Sequence, residues 1–401
     1  MLRKLILIIL LTAGISLVNY VISFYVFSYD FMLRAFESSE HYRTLIKYRD
    51  FWDVPVWVGE FAFSMPSPRT SPLAISGIAW TSIAQLNYVA EQSMIKIMEK
   101  EGWGWSHWES EEASFNDENE NAILSRYMKG SWKPNDPVPK LVVKGRGIQT
   151  EGGMPVVLKG ESLPLKYLAF YGKLETDEGT FRKLDEMGMN SIRIIIDLDD
   201  LMPMEGDWNE KSFDTLKNAL DLAEKHHMYV ILDLHQYRGS SYFIDGCGFP
   251  PWYVQRSSGF KSENPEDWER FNDMWITKET PYEDSWQIVT EAWKKIINVS
   301  KGRNIVAGYD LFNEPPGQAY KFYEYLSAQL EPLDPGKIHF VETMHVFRDM
   351  NSGDKPKVNN LALSPHLYDV WDESYTIVIM SSWFSLFIIV IFGAMILIKY
   401  R

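Results

Sequence analysis

The chain has 401 residues, a net charge of −14 and a single cysteine, Cys247. The acidic balance argues against a nucleic-acid partner, for which a basic face is expected. One cysteine excludes a disulfide within the chain, so stability must come from the core.

Leu5–Phe27 and Thr376–Ile398 are apolar runs of 23 residues each, long enough to cross a hydrocarbon layer of about 30 Å. Arg3 and Lys4 precede the first run, and Lys399 and Arg401 follow the second. Asp30, Asp369, Asp372 and Glu373 lie on their other sides. The positive-inside rule then puts both termini in the cytoplasm and residues 28–375 outside the cell membrane. A cleaved signal peptide is the alternative for the first run, whose apolar part exceeds the ~7–15 residues of such a segment.

Between the runs, periodicity predicts a helix at 36–49, a buried strand at 54–61, a long helix at 76–100 and a strand at 103–108. The acidic stretch 109–121 reads as a loop, and the Pro-, Asn- and Asp-rich stretch 131–140 as a linker. Segments 141–148 and 154–160 predict a hairpin turning at Glu151-Gly152-Gly153. Helices at 179–187, 213–227, 285–301 and 322–330 then alternate with strands at 191–196, 229–235, 305–312, 338–342 and 361–368. This alternation predicts an α/β fold, a parallel (β/α)8 barrel of the TIM type. Residues 237–282 interrupt it with an insertion carrying Tyr242, Phe243, Trp252, Trp268 and Trp275. A loop of this length is usually functional, so its aromatics are expected to form a wall beside a ligand.

Strand 305–312 stops abruptly on Asn313-Glu314-Pro315-Pro316, because proline has no N–H for a ladder. Parallel β/α folds put their chemistry at such strand tips. Asp310-Leu311-Phe312-Asn313-Glu314-Pro315 resembles the acid/base motif of glycoside hydrolase family 5, the cellulase-type retaining glycosidases. Ser191-Ile192-Arg193-Ile194, Ile231-Leu232-Asp233-Leu234-His235-Gln236 and His366-Leu367-Tyr368 resemble that family's strands 2, 3 and 6.

The family's strand 7, which carries the nucleophile, should follow Tyr368, but a few polar residues and the second apolar run stand there instead. Val54–Phe61 resembles that strand, with Glu60 as nucleophile, and Gly102–Trp108 resembles strand 8. The resemblance thus implies a circularly permuted barrel. Residues 28–112 would be equivalent to helix 6 through strand 8, 113–140 a linker joining the family's two ends, and 141–375 the hairpin and strands 1 to 6. A closed barrel tolerates this, because its first and last units are neighbours.

The resemblance further implies a retaining β-glycosidase working by double displacement, with Glu314 as acid/base, which the two apolar runs would anchor in the membrane. Arg193 and Tyr368 would hold Glu60, Asn313 would bind the sugar 2-hydroxyl, and His235 and His366 would line the subsite where the bond breaks. Trp108 would be the stacking floor, a role suited to a chain that is 14% aromatic with 15 tryptophans. Trp252 ends Asp245–Trp252, a segment similar to the endoglycoceramidase-type branch. No cofactor and no metal is implied. Glu342 also ends a strand and competes with Glu60 as nucleophile. Because the permutation cut lies on the catalytic face, both spans are expected to leave from that side. The expected partners are therefore a glycolipid or other carbohydrate and the bilayer. The alternatives are a cell-surface endo-β-glucanase or mannanase on soluble polysaccharide, an anchored transglycosylase, and an inactive carbohydrate-binding protein.

Overall fold

The computed structural model describes residues 37, 39–61, 92–108, 124–128, 131–165, 176–317, 319–342 and 355–367. Both apolar runs, 5–27 and 376–398, lie outside the described residues, as do Tyr368 and residues 109–123 and 129–130 of the acidic loop and linker. Among the described residues no helix is long and apolar enough to cross a membrane. Two units divide the chain, and the first is compact and holds residues 44–62 and 98–367.

Every named strand belongs to the first unit. They are β1 (Trp57–Phe61), β2 (Gly104–His107), β3 (Leu141–Lys144), β4 (Gly147–Thr150), β5 (Pro155–Val156), β6 (Lys159–Pro164), β7 (Ser191–Asp197), β8 (Tyr229–His235), β9 (Val306–Asp310), β10 (Ile338–Val341) and β11 (Leu361–Leu363). Eight of them pair side by side in the order β1-β2-β6-β7-β8-β9-β10-β11. Each pair in that sheet is parallel. Parallel bridges Val56–Leu363 and Glu60–His366 join the two end strands. The result is a near-closed eight-stranded barrel, consistent with a (β/α)8 architecture.

The strand sequences explain this placement. β7 and β8 are buried along their whole length, as a strand covered on both faces must be. Helices Glu178–Met187, Glu210–Lys225, Ser285–Ser300 and Tyr320–Leu330 each bury one stripe, such as Phe213, Leu216, Leu220 and Ala223. The first of them starts where Asp177 accepts the Thr180 N–H at 2.8 Å and stops at Gly188, whose φ is 92°. That is the expected N-cap and left-handed C-terminal stop.

The hairpin expected to turn at Glu151-Gly152-Gly153 is the antiparallel pair β4–β5, and a further strand makes it a three-stranded meander in the order β3-β4-β5. Its first arm folds on itself because Gly145 takes φ 57° and makes a tight turn. Leu141, Ile148 and Val156 pack against Trp57, Tyr229 and Ile338, which begin or nearly begin their strands. The meander therefore seals the N-terminal end of the barrel and leaves the other end for chemistry.

The insertion 237–282 departs from expectation in part. Of its named aromatics Tyr242, Trp252 and Trp268 are half-buried, whereas Phe243 and Trp275 belong to a core. Phe243, Phe249, Tyr253, Phe271, Trp275 and Tyr282 are buried. Their rings meet each other and reach Phe312 and Phe322 at centroid distances of 4.9–6.2 Å. Phe271 and Trp275 are four apart on helix Pro265–Thr277, so they share one face. Large rings gain most from leaving water, and here they build a satellite core that fixes the insertion beside β9.

Glycine at 160 is demanded by strand packing. A Cβ there would stand 1.8 Å from the Ser191 carbonyl oxygen of β7. Gly160→Ala should destabilise the protein by about 3 kcal/mol or more. Gly147→Ala, whose Cβ would meet nothing nearer than 3.8 Å, should leave the melting temperature within a degree or two, and thermal denaturation of both variants tests the contrast.

Candidate active site

The C-terminal ends of the strands converge on one cluster. Glu60 lies in β1, Arg193 in β7 and His235 at the end of β8. Asn313 and Glu314 follow β9, and His366 follows β11. One carboxylate oxygen of Glu60, one of Glu314 and a ring nitrogen of His366 lie within 4.8 Å of one another. Glu60 and His366 are buried, and the Glu314 side chain is 33% exposed.

Arg193 is fully buried and holds the cluster from within. Its Nη1 donates to Glu60, its Nε to Asp310 Oδ2 at 3.0 Å, and its Nη2 to the Asn313 side-chain oxygen at 2.8 Å. Nη2 also lies 3.1 Å from Asp233 Oδ2. Burial alone would lower the guanidinium's basicity, but Asp233, Asp310 and Glu60 outweigh it and keep the charge firmly in place.

The two histidines are both strengthened as cations. Burial opposes the charge of His366, but the Glu60 carboxylate and the hydrogen bond to Glu314 push it up to about 9. Its Nδ1 donates to Glu314 at 2.8 Å and stands 3.4 Å from Glu60 Oε2. Burial likewise opposes His235, yet the Asp233 carboxylate, 2.7 Å from Nδ1, raises it.

Glu314 sits at φ 38°, a left-handed backbone that costs a non-glycine residue about 1 kcal/mol or more. Gln236 holds this turn. Its side-chain amide donates to the carbonyls of Asn313, at 2.9 Å, and Glu314, while its own oxygen accepts the Gly239 N–H at 2.7 Å. Trp108 stacks on His235 with centroids 5.4 Å apart and planes 12° from parallel, so one indole face is already covered.

The structure thus brings Glu60, Arg193, His235, Asn313, Glu314, His366 and Trp108 together. Trp252 is not joined to them by any described contact: its indole N–H donates to the Met202 carbonyl at 3.1 Å and Arg256 lies over its ring. Tyr368 lies outside the described residues. Glu342 is buried against Tyr323, whose hydroxyl accepts the Glu342 N–H at 3.3 Å.

Sequence reasoning passed over Asp233, Asp310, Gln236 and Asp197. Asp233 stands two residues before His235 on one strand, a spacing that puts both on the same face. Asp197 pairs in register with His235. Burial pushes it up to about 7, with His235 opposing and Asp200 and Asp233 adding to the shift.

His366 should stay protonated through neutral pH. An NMR titration of its ring is expected to show a midpoint near 9, and Glu60→Gln should move that midpoint down by about one pH unit or more.

The sequence model of cellulase (glycosyl hydrolase family 5) matches residues 150–384. An endoglycoceramidase of Hydra vulgaris is 28% identical over 39% of this chain and 36% of its own length. An endoglycoceramidase of Cyanea nozakii is 25% identical over 40% of this chain and 39% of its own. The chain therefore spans well under half the length of these curated relatives. A crystal structure of endogalactoceramidase superposes with a TM-score of 0.50 at 19% identity, covering 62% of this chain and 66% of that one. At that identity the likeness is one of fold. The family match extends over more than half of the sequence, and the chain belongs to glycoside hydrolase family 5.

Proposed function

We propose that this protein is a retaining β-glycosidase that acts on the sugar headgroup of glycolipids. The observation that carries the reading is the spacing of the two carboxylates, within 4.8 Å at their nearest oxygens. Retaining enzymes hold their carboxyl groups about 5–5.5 Å apart, whereas inverting enzymes leave about 6.5–9.5 Å for a water molecule.

In this reading Glu60 attacks the anomeric carbon as Glu314 protonates the departing glycosidic oxygen. Glu314 then takes a proton from water, which displaces Glu60 from the sugar. The roles follow from the surroundings. Glu60 is buried and bound to Arg193, which favours a permanent carboxylate. Glu314 is partly open to solvent and touches only His366 among its described side-chain contacts, which suits a group that must exchange protons. Asn313 is turned toward the cluster by Arg193 and Gln236, ready for the sugar 2-hydroxyl.

The same reading includes a circular permutation. The family model matches from residue 150 onward, yet β1 and β2 stand between β11 and β6 in the barrel. That supports taking 28–112 as the family's last units, 113–140 as the linker and 141–375 as its first six strands. It also includes anchoring of the barrel outside the cell by spans at 5–27 and 376–398, supported by their length and flanking charges. The glycolipid substrate draws support from the relatives named endoglycoceramidase. A membrane-held enzyme and a membrane-held substrate would share one surface.

Glu60→Gln and Glu314→Gln should each reduce hydrolysis of an aryl β-cellobioside by about 1,000-fold. Azide should rescue Glu60→Gly with an α-glycosyl azide as product, since azide then fills the place of the nucleophile. An active Glu60→Gln beside a dead Glu342→Gln would move the nucleophile to Glu342. Substrate class is tested separately: the detergent-solubilised full chain should cleave a glucosylceramide-based glycolipid in mixed micelles at least tenfold faster than a soluble oligosaccharide of the same sugars. The reverse order would favour a polysaccharide hydrolase.

A further inference from the structure

Two acids lie beneath the glutamates, and hydrolysis as described gives them no task. Asp310 of β9 and Asp233 of β8 both press on the one guanidinium. Arg193 Nε and Nη2 stand 3.0 and 2.9 Å from Asp310 Oδ2, and Nη2 stands 3.1 Å from Asp233 Oδ2. Only Nη1 is left for Glu60. Asp233 Oδ2 also meets His235 Nδ1 at 2.7 Å. The second oxygen of each aspartate is buried without a hydrogen-bond partner among the described residues.

The single charge of Arg193 is balanced by one carboxylate. Two of them, with Glu60, set three anionic groups around a single buried cation. Like charges that share a site oppose one another's ionisation, and inside a protein that opposition is weakly screened. The titratable groups that act on Asp310 are Arg193 of β7, Asp233 of β8, His366 after β11 and the Tyr323 hydroxyl. Burial raises Asp310 above the usual carboxylate range, with Arg193 opposing and Asp233 adding to the rise.

We infer that Asp310 and Asp233 are positioning residues that share the charge of the Arg193 guanidinium with Glu60, so that the nucleophile is kept ionised without being bound too tightly to attack. This rests on the reading of Glu60 as nucleophile. Removing either negative charge leaves more of the guanidinium's attraction for Glu60. The nucleophile then stays ionised to lower pH and attacks more slowly; Asp310→Asn leaves the His235 contact in place, whereas Asp233→Asn also takes the carboxylate from His235 Nδ1.

The experiment is the pH dependence of kcat and kcat/KM for an aryl β-cellobioside with the detergent-solubilised full chain, as wild type, Asp310→Asn and Asp233→Asn. Both variants keep side-chain size and lose one charge. The acidic limb of kcat/KM should move about one unit to lower pH in each. The plateau kcat should fall about tenfold in each, with the KM of Asp310→Asn within about twofold of wild type. If Asp310→Asn does not fold, Asp233→Asn reads the same limb. A limb that stays in place, with activity lowered equally at every pH, would reduce the aspartates to a structural role and overturn the inference. A wild type inert on both the aryl glycoside and glycolipid would instead overturn the glycosidase reading, and this inference with it.

Discussion

The site depends on one buried cation. Arg193 has no exposed surface, and an isolated charge taken from water costs several kcal/mol. It is stable there because each guanidinium nitrogen finds an oxygen: Glu60 from β1, Asp233 from β8, Asp310 from β9 and Asn313 beyond β9. Such charge-assisted contacts are shorter and stronger than neutral ones. They also run both ways, since three carboxylates at close quarters would repel one another without the arginine. The cation therefore ties the ends of separate strands into one geometry, and Glu60 takes its orientation from that tie.

The rest of the unit holds this knot rigidly. Below it, the meander packs Leu141, Ile148 and Val156 against the strand starts, so the barrel is filled rather than hollow. Beside it, the insertion after β8 is anchored by its own aromatic cluster around Phe249, Phe271 and Trp275. Gln236 then ties the root of that insertion to the backbone of Asn313 and Glu314. A left-handed Glu314 persists only where its surroundings over-determine it, and these contacts supply that constraint from both sides.

Much of the barrel was legible because buried parallel strands have a strong signature. Ser191–Asp197 and Tyr229–His235 read as mainly apolar runs in which Arg193, Asp233 and His235 stand out. Within the insertion, Phe243 and Trp275 proved to be core because burial of an aromatic is a tertiary property: a ring looks alike in sequence whether it faces solvent, ligand or core. Asp233 and Asp310 stood in plain view within the quoted motifs, yet their importance lies in reaching one arginine from two different strands. No local pattern announces such a convergence. The meander at 141–156 differed from a simple hairpin because one glycine, Gly145, adopts a left-handed turn, a choice that composition permits but does not dictate.

The bridges Val56–Leu363 and Glu60–His366 carry a consequence for biosynthesis. Glu60 emerges early from the ribosome, and the strand that flanks it on that side is among the last parts of the barrel to be made. At a synthesis rate of about 5–20 residues per second, β1 waits many seconds with one edge unpaired. An exposed apolar edge of this kind invites wrong partners, so the nascent chain has a long interval in which shielding by chaperones matters. The same timing means that a chain cut short before β11 lacks both His366 and the closing seam. If Glu60 and His366 act as proposed, turnover then reports that translation has run through the last barrel strand.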